Sequence, residues 1–151
     1  MYRRRLAELR RVATAITGSR EAGLDAVQDA FAEAIRQRRS FRGEGNLDAW
    51  LWRIVVNTAR DYTLTRSTLP LEDGADDPGV GVAASESVGA DLHTLVSQLP
   101  ERQRLTLFLR YYADLDYGTI AEALQISPGT VGATLNQARE GLRQLVNEVP
   151  S

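Results

Sequence analysis

The sequence has no cysteine, no lysine and a single histidine among its 151 residues. Without cysteine the chain can form neither a disulfide nor a thiolate metal site, and one histidine, His93, leaves little for imidazole catalysis. We expect His93 to face solvent from a helix. No stretch approaches the ~20 apolar residues of a membrane span, and no apolar signal-peptide core follows the arginine-rich start. These absences predict a cytoplasmic protein that uses no metal or other cofactor.

The charges are segregated along the chain, although the formal net charge is only -2. Residues 1–66 hold 13 arginines and 8 acids, residues 67–95 hold 6 acids and no basic residue, and residues 96–151 hold 5 arginines and 6 acids. Helical periodicity stops between the two outer segments, where proline, glycine and acids dominate. We therefore predict an all-α protein with two small helical domains, residues 1–66 and 91–151, joined by a flexible acidic linker over residues 67–90.

A helix-turn-helix is predicted near the C-terminus. Ile120 and Leu124 share one face of a short helix, Ser127 can cap the next helix, and Pro128 suits its first position. The second helix leaves a free face that could enter a DNA major groove. That face consists of Thr130, Gly132, Ala133, Thr134, Asn136 and Gln137. The alternative is a small helical bundle that binds nothing.

The first two helices are predicted to join tightly, with Gly18 in a left-handed cap and Ser19 capping the second helix. The second helix should turn its large apolar residues inward, which leaves an acidic polar face. The inward set is Leu24, Val27, Phe31 and Ile35, and the polar set is Asp25, Gln28, Asp29 and Glu33. The polar face could bind a basic partner or simply be solvated.

A third helix is predicted to begin at Leu47, whose side chain should face inward, with Asn46 as its cap. It follows a basic run over residues 36–42 and a loop with two glycines. We expect Trp50 in the core and leave Trp52 open. Arginines interleaved with aromatic residues suit single-stranded nucleic acid, since phosphates need cations and bases need flat partners. The alternative is that these arginines only solubilise the surface.

Nearly the whole chain resembles the extracytoplasmic-function (ECF) sigma factors of bacterial RNA polymerase. Two N-terminal segments carry the resemblance, residues 24–31 (LDAVQDAF) and 41–62 (FRGEGNLDAWLWRIVVNTARDY). The C-terminal segments that match are residues 99–104 (LPERQR), 110–111 (RY), 117–121 (YGTIA), 126–131 (ISPGTV) and 138–139 (AR). Each motif is weak alone, but their shared order around an acidic linker is specific.

The resemblance implies that the chain binds core RNA polymerase and promoter DNA, helps to open that DNA, and is not an enzyme. It also implies an anti-sigma factor as a partner typical of the family. Polymerase binding would fall to Asp25, Gln28 and Asp29. Binding of the opened minus-ten element would fall to Phe41, Arg42, Gly43, Glu44, Asn46, Arg53, Asn57 and Arg60. Recognition of the duplex minus-thirty-five element would fall to Ser127, Thr130, Thr134, Asn136, Gln137 and Arg139.

The chain departs from the family pattern in two places. Its recognition helix has Gly132, Thr134 and Gln137 where the family usually has basic residues, so the isolated C-terminal domain should bind DNA weakly. Its first helix also begins almost at Met1 and is shorter than the family's. The missing cations keep a second interpretation open, in which the protein is a sigma-like regulator or adaptor whose helix-turn-helix binds protein. A hydrolase or transferase ranks third, because no nucleophile, metal or phosphate motif is present.

Overall fold

The structure is a computed structural model that describes residues 2–41, 46–68, 92 and 94–148. Every regular element in these ranges is helical, as predicted. The main helices are α1 (Tyr2–Thr17), α2 (Arg20–Arg36), α3 (Leu47–Thr68), α4 (Glu101–Leu107), α5 (Tyr117–Leu124) and α6 (Pro128–Glu148), and residues 94–97 are also helical. A 3-10 turn spans Arg38–Ser40, and a π-helical turn, Phe108–Tyr112, continues α4. None of the helices in the described ranges is long and apolar enough to cross a membrane.

The helix ends confirm the local predictions. Gly18 has a φ of 80°, the left-handed region that favours glycine, and its amide donates to the Thr14 carbonyl. The Ser19 hydroxyl accepts from the Ala22 amide at 3.1 Å and caps α2. The Asn46 side chain caps α3 by accepting from the Asp48 amide at 2.9 Å. Each cap satisfies an amide that helix geometry leaves without an internal partner.

The boundary between α3 and the linker differs from the prediction. Helix α3 continues to Thr68, so the first two residues of the predicted linker, 67 and 68, are helical. The rest of the predicted linker and His93 lie outside the described residues.

The core of the N-terminal half corrects the predicted inward faces. Trp52 is buried, with 1% of its surface exposed. Trp50 is half-buried and packs against Phe41, with the two ring centroids 5.5 Å apart. The prediction that Trp50 is the core tryptophan is therefore wrong. Leu24, Ile35 and Leu47 were also expected inside but are exposed.

The physical reason for the exposure of Leu24 and Ile35 is the close approach of α2 to its neighbours. Helix α2 packs against α1 and α3 through Gly23, Ala26, Val27 and Ala30. Small side chains let helix backbones approach closely, so this stripe is buried and the larger residues beside it stay at the edge. Counting only large apolar residues places the buried stripe one position away from its actual line.

The C-terminal half contains the predicted helix-turn-helix. The Asp116 carboxylate caps α5 by accepting from the Thr119 amide at 2.7 Å, and Gln125 ends α5 in a left-handed conformation with φ 60°. The Ser127 hydroxyl then accepts from the Thr130 amide at 3.1 Å and Pro128 opens α6. Val131, Leu135 and Ala138 are buried and form the inner stripe of α6.

The two halves of the chain contact each other. Helix α3 packs against α5, and α1 packs against the π-helical turn. One apolar cluster runs through both halves, from Leu9 and Trp52 to Ile120 and Leu135. The arrangement is therefore a closed one, in which α3 and α5 pack together.

We expect Gly23→Ala to weaken the fold, because an added Cβ would lie 2.8 Å from the Thr14 Cα and N atoms. Overpacking of this kind costs ~1–3 kcal/mol, which exceeds the ~1 kcal/mol that alanine gains over glycine in a helix. Gly132→Ala is the control, since its Cβ would meet only the edge of the Tyr117 ring at 3.5 Å. Urea unfolding should show lower stability for the first variant and equal or higher stability for the second. Equal stability of Gly23→Ala and the parent would contradict the close α1–α2 crossing.

Candidate nucleic-acid interface

The start of α6 forms one wall of a shallow groove on the C-terminal half. The Ser127 and Thr130 hydroxyls bond each other at 2.8 Å, so the cap also orients the Thr130 side chain. Four of the six predicted minus-thirty-five residues line the groove, which has a volume of about 490 Å³. The lining residues are Pro100, Arg102, Gln103, Ser127, Gly129, Thr130, Ala133, Thr134 and Gln137. The groove therefore combines hydroxyl and amide groups from α6 with one arginine from α4.

Two residues of the predicted free face of α6 are less exposed to solvent than the sequence predicts. Thr134 is 4% exposed, because it lies at the edge of the stripe formed by Val131 and Leu135. Gly132 lies beside the ring of Tyr117, which would be 3.5 Å from an added Cβ. The exposed face of α6 is thus narrower than its sequence indicates.

Asn136 and Arg139 do not join this groove. Asn136 is exposed and lines a second depression with Gln98, Gln144 and Glu148. Arg139 projects from another side of α6, where its guanidinium donates to the Tyr111 hydroxyl at 2.7 and 3.0 Å and lies 5.9 Å from the ring centroid. The Tyr111 hydroxyl raises the pKa of Arg139, so this contact favours the charged guanidinium.

Sequence reasoning missed Arg102 and Gln103 as members of the groove. Their helix, α4, packs against α6, and this packing alone brings them beside Thr130 and Gln137. The motif over residues 99–104 contains both residues, but its spacing from α6 carries no signal that they are neighbours. Only the tertiary contact identifies them.

The acidic face of α2 is exposed, as predicted. Asp25, Gln28 and Asp29 all reach solvent, and the Tyr62 hydroxyl donates to the Asp29 carboxylate from α3. The hydrogen bond to Asp29, then burial and the negative charges of Asp29 and Asp25, raise the pKa of Tyr62 to about 12. Tyr62 therefore stays protonated as a donor and fixes Asp29 relative to α3. No sequence pattern indicates that these two residues pair.

The predicted minus-ten residues follow α3 and the segment before it. Phe41 packs against Trp50, while Arg42, Gly43 and Glu44 lie outside the described residues. Asn46, Arg53, Asn57 and Arg60 are spaced by seven, four and three residues, so they share one face of α3. Helical geometry thus brings these four predicted residues together.

The C-terminal half contacts this face of α3 at both ends, and a cleft lies between the two contacts. The side-chain amide of Asn46 donates to the Thr119 hydroxyl of α5 at 3.3 Å. The Arg60 guanidinium forms an ion pair with Glu101 of α4 at 2.6 Å. Between them, Arg53 and Asn57 line a cleft of about 1040 Å³ to which the C-terminal half contributes Gln125.

Both halves of the chain match families of known proteins. Residues 1–68 match the family Sigma-70 region 2, and residues 90–142 match the family Sigma-70, region 4. The RNA polymerase sigma-H factor of Pseudomonas aeruginosa is 32% identical over 135 residues, which cover 78% of this chain and 69% of that protein. The ECF RNA polymerase sigma-E factor of Haemophilus influenzae is 33% identical over 132 residues, covering 77% and 70%.

Solved structures share the fold. The sigma factor RpoE of Bartonella quintana, solved with the anti-sigma factor NepR, has a TM-score of 0.68 at 23% identity and covers 94% of this chain and 91% of its own. CnrH, solved with the cytosolic domain of CnrY, has a TM-score of 0.74 at 20% identity and covers 98% and 86%.

These matches place the chain in the sigma-70 family of transcription initiation factors, which are not enzymes. It belongs to the ECF group, whose members bind core RNA polymerase and promoter DNA. The predicted family, all-α fold, sigma-factor function and polymerase and DNA partners are confirmed. The adaptor interpretation is not favoured.

We expect the Asp116 cap to stabilise the helix-turn-helix in a pH-dependent manner. The Thr119 amide and hydroxyl lower the pKa of Asp116 below its ordinary value of 3.8. Because the folded pKa is depressed, the ionised carboxylate stabilises the fold above that value, and the contribution is lost as pH falls through the folded pKa. Asp116→Ala should cost ~1 kcal/mol of unfolding free energy at neutral pH. Urea unfolding over a pH series should show this cost shrinking in acid.

Asp116→Asn is the matched control, since asparagine also caps helices but does not titrate. It should keep most of the neutral-pH stability and lack the acid-dependent change attributed to Asp116. A cost for Asp116→Ala that is constant across the pH series would show that the charge of the cap is unimportant.

Proposed function

We propose that this sigma factor uses three separate surfaces during initiation. The acidic face of α2 binds core RNA polymerase, the polar face of α3 binds the opened minus-ten strand, and the start of α6 reads the minus-thirty-five duplex. The observation that carries the proposal is the single face of α3 that holds Asn46, Arg53, Asn57 and Arg60. Two guanidiniums and two amides along one helix face suit a phosphate backbone with exposed bases.

The proposal gives the chain a role in DNA opening rather than in covalent chemistry. Separating DNA costs ~1.4 kcal/mol per base-pair step, and capture of an unpaired strand by α3 offsets part of that cost. Phe41, packed on Trp50, lies at the start of the segment that would hold an extruded base. The polymerase supplies the catalysis, and the sigma factor acts with it in the cytoplasm.

We infer that the closed arrangement must open before the promoter strand can bind. The C-terminal half contacts the face proposed for that strand through Thr119 and Glu101, and Gln125 lines the cleft between these contacts. The Glu101 carboxylate is paired with the Arg60 guanidinium, which would otherwise be available to a phosphate of the promoter strand. One structural neighbour, RpoE, was solved with the anti-sigma factor NepR, and the other, CnrH, was solved with the cytosolic domain of CnrY. We propose that an anti-sigma partner of this chain would stabilise the closed arrangement.

We expect the triple variant Asp25→Ala, Gln28→Ala, Asp29→Ala to lose binding to core polymerase, because it removes the exposed polar face of α2. Fluorescence titration of labelled protein with core polymerase should show at least a tenfold weaker affinity. A promoter fork with an unpaired minus-ten strand should bind the parent only in complex with the polymerase.

The charge-matched control for the triple variant is Glu122→Ala with Glu148→Ala, which removes two acids from exposed sites on α5 and α6. Its affinity for core polymerase should stay within twofold of the parent. Equal affinities for the triple variant and the parent would overturn the assignment of α2, and failure of the parent to bind core would overturn the proposed function.

Opening can be followed with two dyes, because the parent has no cysteine to react elsewhere. Arg10→Cys on α1 and Arg143→Cys on α6 place one label at an exposed site in each half. Energy transfer should fall when core polymerase is added. Glu101→Gln removes the ion pair to Arg60 and should lower energy transfer in the free protein. Because the pair is exposed, the ratio of open to closed protein should rise by at most about fivefold.

The matched control for the opening experiment is Glu140→Gln, which removes the ion pair with Arg143 within α6 and leaves the contact between the halves intact. It is made with the second label moved to Glu148→Cys, and its transfer should equal that of the same labelled protein with Glu140 retained. Unchanged transfer at saturating core polymerase would contradict opening.

A further inference from the structure

The arginines of the C-terminal half are unequally available to a ligand. Four of the five have a partner for the guanidinium within the protein. Arg104 donates to the Leu99 carbonyl at 2.5 Å, Arg110 donates to the Leu115 carbonyl at 2.9 Å, Arg139 donates to the Tyr111 hydroxyl at 2.7 Å, and Arg143 pairs with Glu140 at 3.6 Å. The fifth is Arg102.

Arg102 is exposed, and within residues 94–148 its guanidinium makes no hydrogen bond or ion pair. It lines the groove formed by the start of α6, together with Thr130 and Gln137. The first three turns of α6, residues 128–138, contain no charged residue of either sign. Within residues 94–148, Arg102 is therefore the arginine whose guanidinium has no partner in the protein, and it lies beside an uncharged recognition surface.

We propose that Arg102 binds a backbone phosphate of the duplex that α6 reads, and so supplies a contact that the recognition helix itself lacks. The inference rests on the proposed function of α6. A helix in the major groove has a phosphate backbone along each side, and the side chains that flank the helix are the ones that reach it. Arg102 flanks α6 on the side of Thr130 and Gln137.

The proposal assigns different tasks to the two helices. Thr130 and Gln137 carry donors and acceptors that can distinguish base edges, whereas Arg102 carries a charge that binds any sequence equally. Loss of Arg102 should therefore weaken binding without changing sequence preference. It should also reduce the salt dependence of binding, because one phosphate fewer is neutralised.

The test uses holoenzyme assembled from core polymerase and Arg102→Gln, with a duplex that the parent holoenzyme selects from a pool randomised upstream of the start site. The parent should bind the duplex more tightly than the variant at low salt. One lost phosphate contact lowers the slope of log affinity against log salt by ~0.9, so the affinity ratio of parent to variant should shrink about 3.5-fold when salt rises fourfold. Arg102→Lys keeps the charge and should restore the parent slope.

Arg143→Gln is the control, because Arg143 is exposed on α6 but does not line the groove. Its salt slope should equal that of the parent. A parent-like affinity and slope for Arg102→Gln would overturn the assignment of Arg102, and so would a change in the ratio of affinities for matched and mismatched duplexes. Neither result touches the proposed function, which in this experiment fails if the parent holoenzyme selects no duplex at all.

Discussion

The burial of α3 is the constraint on which the rest of the structure depends. Trp52, Val55, Val56 and Ala59 are almost fully buried, which fixes the rotation of the helix about its axis. That rotation turns Asn46, Arg53, Asn57 and Arg60 away from the N-terminal core. A buried tryptophan of this kind contributes several kcal/mol, far more than any single polar contact on the polar face. The apolar side therefore sets the position of α3, and the polar side remains available to change partners.

The contacts across the polar side of α3 are of a kind that exchanges easily. The Arg60–Glu101 pair is exposed on both partners, and such pairs contribute only ~0–1 kcal/mol. A ligand shifts a two-state equilibrium by the difference in its affinity for the two states. A polymerase or promoter that binds the open state more tightly by a few kcal/mol would be enough to separate these polar contacts. The apolar cluster shared by the two halves adds to the free energy that opening costs.

Sequence reasoning succeeded where the cause is local and failed where it is tertiary. The caps at Gly18, Ser19, Asn46 and Ser127 follow from the chemistry of neighbouring residues, so they could be predicted. The choice between Trp50 and Trp52 could not, because both fit a helix and only the packing of α1, α2 and α3 distinguishes them. Ile35 was misplaced for the same reason. The Tyr62–Asp29 bond and the approach of Arg102 to α6 join residues that are distant in sequence, and no periodicity encodes such pairs.

The way the arginines are used explains why the C-terminal half should depend on the polymerase for DNA binding. Its five arginines nearly balance its acids, and four of these arginines have a partner for the guanidinium within the protein. Non-specific affinity for DNA comes mainly from neutralised phosphates, so we expect a half in which one arginine lacks an internal partner to bind DNA weakly alone. Once core polymerase holds the protein on a promoter, binding of α6 becomes effectively intramolecular, and a high local concentration of DNA replaces the missing charge. A neutral recognition helix would then be sufficient, and weak binding by the free protein would limit its competition for other DNA.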